Sequence, residues 1–200
     1  MSITQPHAES IVLHFGSVLR GMSDEDFLKF CRRHPDYRME RTAEGDLIVM
    51  PPTGGETGRQ NFALTVAFGD WVERDGSGVG FDSSTGFHLP NGADRSPDLA
   101  WVRRERWEAL APEQRKSFPP LCPDFVLELR SENDSLDALR AKMLEYIENG
   151  TRLGWLIDPQ ERIIFVYRPG SSVSTLRNPE SVAGDPELPG FSLDMRRIWG

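Results

Sequence analysis

The sequence predicts a mixed α/β fold, a central mixed β-sheet flanked by helices. Three observations point there. Residues 122–157 read strand–helix–strand, with apolar runs at 124–130 and 152–157 around a helical run at 135–149. Alternating residues 37–41 and the apolar run 46–50 flank Glu44-Gly45, which reads as a β-hairpin. Further helical patterns sit elsewhere in the chain, so strands and helices interleave instead of segregating.

Taken in order, residues 1–22 show weak periodicity and are expected to form an arm or irregular lead-in, followed by one domain over 23–200. A helix starts at Ser23, a capping residue, with Asp24, Glu25 and Asp26 in the first turn, and Pro35 stops it. The 51–55 segment, Pro-Pro-Thr-Gly-Gly, ends the hairpin. A second helix is expected over 56–74, with Phe62, Val66, Gly69, Trp71 and Val72 as its core stripe. Short strands follow at 79–83 and 85–89, a loop at 90–95, a strand at 96–102 and a short basic helix at 103–110. The 135–149 helix places Leu136, Leu139, Met143, Tyr146 and Ile147 on one face, and Gly150 stands where a C-terminal cap belongs. Residues 152–157 and 162–168 form a second hairpin. Beyond it the chain is turn-rich, with a short strand near 173–176 and a closing segment at 191–199.

Composition narrows the function classes. With 38% hydrophobic and 27% charged residues, 200 residues suffice for a buried core. No apolar run approaches the roughly 18 residues of a membrane span, and the first residues lack the basic and apolar regions of a signal peptide. Cys31 and Cys122 make no metal pattern, and two free thiols fit a reducing, cytoplasmic setting. His7, His14, His34 and His88 are scattered and form no two-histidine zinc motif. A net charge of −8 argues against broad adhesion to nucleic acid, though it leaves room for a local basic groove.

One residue stands out. Glu128 interrupts the run Phe125, Val126, Leu127, Leu129, and a carboxylate inside an apolar strand costs several kcal/mol unless it is paired or binds a metal. Alternation puts Asp124, Val126, Glu128 and Arg130 on one strand face, and Asp98, Ala100 and Val102 on one face of the 96–102 strand. If those strands are neighbours, Asp98 and Glu128 converge. Two such carboxylates can hold Mg²⁺ or Mn²⁺, which favour oxygen ligands and keep waters. Lys142 borders the core-facing stripe of its helix and could reach toward Glu128, or could instead snorkel to water with its stem on apolar surface.

Three stretches together, Asp98 in Ser-Pro-Asp-Leu, the strand Glu128-Leu-Arg130, and the run Lys142, Tyr146, Gly150, Trp155-Leu-Ile-Asp158, resemble the PD-(D/E)XK nuclease superfamily. Within it they are most similar to a small bacterial branch of restriction-endonuclease relatives, the Uma-two family. The resemblance covers about residues 37–168 and extends to the tail at 188–193. It implies a restriction-endonuclease-like fold with the site at one sheet edge, and a divalent-metal-dependent endonuclease acting on DNA. It also implies roles: Asp98 and Glu128 as metal ligands helped by the Leu129 carbonyl, and Lys142 as the catalytic cation. The pattern's lysine two residues after the glutamate is here Arg130. Arginine stabilises phosphate charge but is a poor proton shuttle, so Arg130 is expected to contact phosphate or structure. Glu56 matches a region where the superfamily often adds an acidic residue, and is also what a helix dipole favours in a first turn.

Other readings remain open from sequence alone. Asp124 repeats the Pro-Asp pair of 97–98 and rivals Asp98 as a ligand. Arg103, Arg104 and Arg106 could line a nucleic-acid groove or form a solvated helix face. Cutting duplex DNA makes a homodimer plausible. The chain could instead be an inactive nuclease-fold binding or assembly protein, or Glu128 could pair with Arg130 or Lys142 as a plain core salt bridge.

Overall fold

The computed structural model describes residues 10–200; His7 lies outside that range. Its elements run β1 (Ile11–His14), α1 (Ser17–Arg20), α2 (Asp24–Arg33), β2 (Arg38–Arg41), β3 (Asp46–Met50), α3 (Gly55–Asp75), β4 (Gly78–Asp82), β5 (Phe87–His88), β6 (Asp94–Arg95) and β7 (Leu99–Arg103). They continue α4 (Arg104–Glu108), α5 (Pro112–Arg115), β8 (Phe125–Leu129), α6 (Leu136–Glu148), β9 (Leu153–Asp158), β10 (Ile163–Tyr167), β11 (Ser174–Arg177), β12 (Ser181–Ala183), β13 (Ser192–Asp194) and α7 (Arg196–Trp199).

Six strands form the central sheet in the order β11-β10-β9-β8-β7-β4. Only β8 and β9 pair in parallel, with α6 as the crossover between them, because parallel neighbours need a long connection while hairpins join antiparallel ones. β8 and β9 are buried along their whole length, one face on each side of the sheet. Toward one side Leu99, Trp101, Phe125, Leu127, Trp155 and Ile157 pack against Leu64, Phe68 and Trp71 of α3 and the tail residues Phe191 and Leu193. Toward the other, Ala100, Val126 and Leu156 pack against Met143 and Tyr146 of α6. This second face is the one that carries Glu128.

A five-stranded sheet, β1-β3-β2-β6-β5, holds the hairpin expected at 37–50. The lead-in is regular from Ile11: β1 pairs antiparallel with β3, and Leu19 of α1 is buried with Phe27, Met39 and Leu47. All four β1 residues are exposed, so an edge strand with both faces in water shows no burial alternation to read.

Three helix ends are closed by local residues. Ser23 accepts from the Asp26 amide at the start of α2, and Ser135 accepts from the Ala138 amide at the start of α6. Gly150 ends α6 at φ 110°, a conformation that favours glycine. The expected stripe of α3 is corrected. Its buried residues are Gln60, Leu64, Phe68 and Trp71, whereas Phe62 is 71% exposed and Val66 47%. The buried stripe opens on a polar residue, Gln60, whose amide donates to the Ile198 carbonyl at 3.0 Å. A count of apolar positions alone passes over it. Among the described residues no helix is long and apolar enough to cross a membrane, and both cysteines are free.

Candidate active site

The register of β7 against β8 sets Leu99 opposite Leu127 and Ala100 opposite Val126. Continued by one residue, it sets Asp98 opposite Glu128. Both carboxylates thus sit at the same end of adjacent strands. Asp98 Oδ2 accepts from the Leu129 amide at 2.8 Å, so Leu129 meets the cluster through its backbone N–H. Glu128 Oε1 accepts from the Tyr146 hydroxyl at 3.1 Å and faces the Lys142 amine at 2.8 Å. Tyr146 follows Lys142 by four positions and so rises from the same helix face.

A third carboxylate completes the cluster. Glu40, on β2, is 2% exposed. Its Oε1 accepts from Lys142 Nζ at 2.8 Å and from the Ser96 amide at 2.9 Å, and its Oε2 from Arg95 at 3.1 Å. Arg95 in turn binds Glu145 of α6 at 2.6 Å. Glu40 was missed in the sequence because 38–41 reads as a charged, solvent-facing hairpin strand. Its neighbours Met39 and Arg41 are buried as well, and Glu40 itself is met there by Lys142 of α6, Arg95 of β6 and the Ser96 amide.

Charge and burial set the protonation states. Burial pushes the Glu128 carboxyl up to about 7, Lys142 opposes the shift, and repulsion from Asp98 and Glu40 adds to it. Asp98 is also raised by burial, against the pull of the Arg38 guanidinium and the Leu129 amide. At Glu40 burial is outweighed by Lys142 and Arg95, which hold it down. At Lys142 burial is outweighed by Glu128 and Glu40, so the amine is held in its charged form. The cluster is therefore one in which a buried cation stands between carboxylates that differ in acidity, an arrangement of the kind functional sites use to tune acids and bases.

The other expected residues lie as follows. Arg130 donates to Asp158 at 2.6 Å and to the Asp134 carbonyl at 3.2 Å, tying the ends of β8 and β9 to the loop before α6. Glu56 is 68% exposed and paired with Arg59, whose guanidinium also reaches the Arg197 carbonyl; none of these contacts belongs to the cluster. Asp124 is bound by Arg103 at 3.1 Å and Arg106 at 3.0 Å. It stands four residues from Glu128, about 13 Å along a strand, so it cannot share a ligand site with it. Those two arginines are thereby committed, and Arg104 donates to the Gly76 and Gly78 carbonyls. His88 binds Asp94 and Asp24, away from these carboxylates.

Does this set fit a divalent ion? Among the described residues no group of three or more His, Cys, Asp and Glu side chains is arranged to hold one. The donors that remain are oxygens of two facing carboxylates. Asp98 Oδ1 and Glu128 Oε2 accept no hydrogen bond among the described residues, while their partner oxygens are anchored. A pair of this kind suits Mg²⁺ or Mn²⁺, which bind through one or two carboxylates and complete their shell with water and substrate oxygens.

The sequence matches a family model described as "Uma2: Putative restriction endonuclease" over residues 24–196. The chain belongs to the Uma2 family. A search of curated proteins gives no match. Among solved structures, "a putative nuclease belonging to DUF820" from Anabaena variabilis ATCC 29413 superposes with a TM-score of 0.72 at 21% identity, covering 89% of this chain and 97% of that one. At that identity the likeness shows the fold, and the mixed sheet flanked by helices of restriction-endonuclease type stands. Uma2 membership and this fold together support a nuclease-like function.

Proposed function

We propose that this Uma2 protein is a divalent-metal-dependent endonuclease that hydrolyses phosphodiester bonds of DNA. The observation that carries this reading is the juxtaposition of Asp98 and Glu128 on paired strands, with Lys142 2.8 Å from Glu128. Asp98 and Glu128 would hold Mg²⁺ or Mn²⁺. Such an ion would supply Lewis-acid neutralisation of phosphoryl charge and a more acidic water.

The chain's own residues divide the remaining work. Tyr146 and the Leu129 amide fix the carboxylates, so that they need no reorganisation when substrate arrives. Lys142, held protonated by Glu40 and Glu128, orients the attacking water and offsets charge on the phosphoryl oxygens; a cation held this way donates hydrogen bonds and does not serve as a base. Glu40 positions Lys142. Arg130 braces the strand ends. Cutting both strands of a duplex takes two such sites, which a homodimer supplies.

The test is plasmid or duplex cleavage in Mg²⁺ or Mn²⁺. Loss in both Asp98→Ala and Glu128→Ala is expected, and cleavage that survives both sinks the assignment. The same contacts favour one rival, an inactive nuclease-fold protein in which the Lys142–Glu128 pair is a closed core salt bridge. That rival predicts no metal affinity in calorimetry, so Mn²⁺ binding that vanishes in Glu128→Gln counts against it.

A further inference from the structure

Arg38 stands two residues before Glu40 on β2 and therefore shares its strand face. Its Nη2 donates to the Ser96 carbonyl at 2.8 Å, which sets the side chain beside the segment leading into Asp98. Its Nη1 stops 3.7 Å from Asp98 Oδ1, beyond hydrogen-bond reach. Its Nε is buried with no acceptor. A guanidinium carries five N–H donors, and among the described residues this one hydrogen-bonds through Nη2 alone. Yet the side chain is 33% exposed, so a solute can reach it.

The other cations around it already pair with carboxylates. Lys142 lies between Glu40 and Glu128, Arg95 between Glu40 and Glu145, and Arg130 on Asp158. Arg38 is the guanidinium at this site that hydrogen-bonds no carboxylate. An arginine that served only to neutralise Asp98 would close onto it with short, charge-assisted bonds. This one is tethered to a carbonyl instead and held near Asp98 without bonding it. Asp98 Oδ1 and the Nη1 donors thus remain free side by side, one for a cation and one for an anion.

We propose that Arg38 is the phosphate-binding residue of this site, donating from its guanidinium to a non-bridging oxygen of a DNA phosphodiester next to Asp98. The proposal rests on the nuclease reading above and adds, beside Lys142, a residue that binds the substrate's phosphate directly. A planar, always-charged and weakly hydrated guanidinium suits that oxygen better than an ammonium already shared by two carboxylates.

Two measurements test it together. Binding of a short DNA duplex is followed by fluorescence anisotropy across NaCl concentrations, without divalent metal so that nothing is cut. Mn²⁺ affinity is measured separately by calorimetry. Arg38→Gln is expected to weaken duplex binding roughly tenfold, as for one charge-assisted hydrogen bond, and to lower the slope of log K against log[salt] by about 0.9. Mn²⁺ affinity is expected to hold or tighten, because a cation beside Asp98 has gone. Unchanged duplex affinity and slope overturn the proposal, as does lost Mn²⁺ affinity, which is the mark of a residue that only holds Asp98. Should Arg38→Gln fail to fold, Arg38→Lys keeps the question open to measurement: the slope stays and affinity falls several-fold, and an unaltered affinity overturns the proposal. A wild-type protein that binds no duplex at any salt removes the nuclease reading itself, and this proposal with it.

Discussion

Lys142 and Glu40 meet at 2.8 Å although 102 residues separate them. The contact joins α6, which crosses from β8 to β9, to a hairpin near the other end of the chain. It also makes the lysine a bridge, because the same amine lies 2.8 Å from Glu128. A buried ammonium between two buried carboxylates is stable only as a set. Removing one member strands the others in a low-dielectric site.

Lys142→Met therefore leaves Glu40 and Glu128 buried without their cation. At pH 8.5 the loss of stability is expected on the order of 3–5 kcal/mol. At pH 6 it should be smaller, since Glu128, raised to about 7 by burial, is already largely protonated there. Urea unfolding at the two pH values measures both. Equal losses would show that Glu128 and Lys142 are not coupled.

Metal binding should depend on pH through the same carboxyl. The folded Glu128 pKa lies above the ordinary carboxylate value, so the folded state holds the proton more tightly than the unfolded one. The associated stability is present below the usual value of 4.5 and is lost as pH rises toward about 7. An ion must displace that proton, so Mn²⁺ affinity should rise as pH climbs through about 7 and then level off. The melting-temperature gain on adding Mn²⁺ should grow across the same window. Glu128→Gln should abolish both trends; a gain independent of pH would place the ion elsewhere.

Two acidic residues separate the cluster from its surroundings. Glu40→Gln keeps an acceptor for the Ser96 amide but removes the charge that holds Lys142. Cleavage is expected to fall on the order of 10–100-fold, the usual effect of a residue that orients a metal site from behind, with duplex affinity little changed. Glu56→Ala removes only an exposed pair with Arg59 and should leave cleavage and melting temperature at wild-type values. Cleavage lost in Glu56→Ala and kept in Glu40→Gln would reverse their assignments.

Much of this was legible in the chain. The strand–helix–strand unit at 124–157, the hairpin at 37–50 and the caps at Ser23 and Gly150 are local, because period, turn chemistry and capping act over a few residues. Glu128 was visible for the same reason, as a charge in an apolar run. Lys142 was visible as a charge bordering an apolar stripe. The α3 stripe was misread because Gln60 is buried through a bond to Ile198, a contact 138 residues away. Glu40 gave no signal, since a charged residue in an alternating strand looks the same whether it faces water or a lysine.

The sequence by itself determined the elements, their order and the acidic strand residue, since each depends on near neighbours along the chain. Only the tertiary structure decided which charges meet. Strand register set Asp98 opposite Glu128, and the packing of α6 on the central sheet brought Lys142 to both Glu128 and Glu40. It also showed Arg130 committed to Asp158 and left Arg38 beside Asp98 with donors to spare. The reason is physical: a charge is tolerated in a core only by partners that sterics bring within about 3 Å, and here those partners come from segments far apart in sequence.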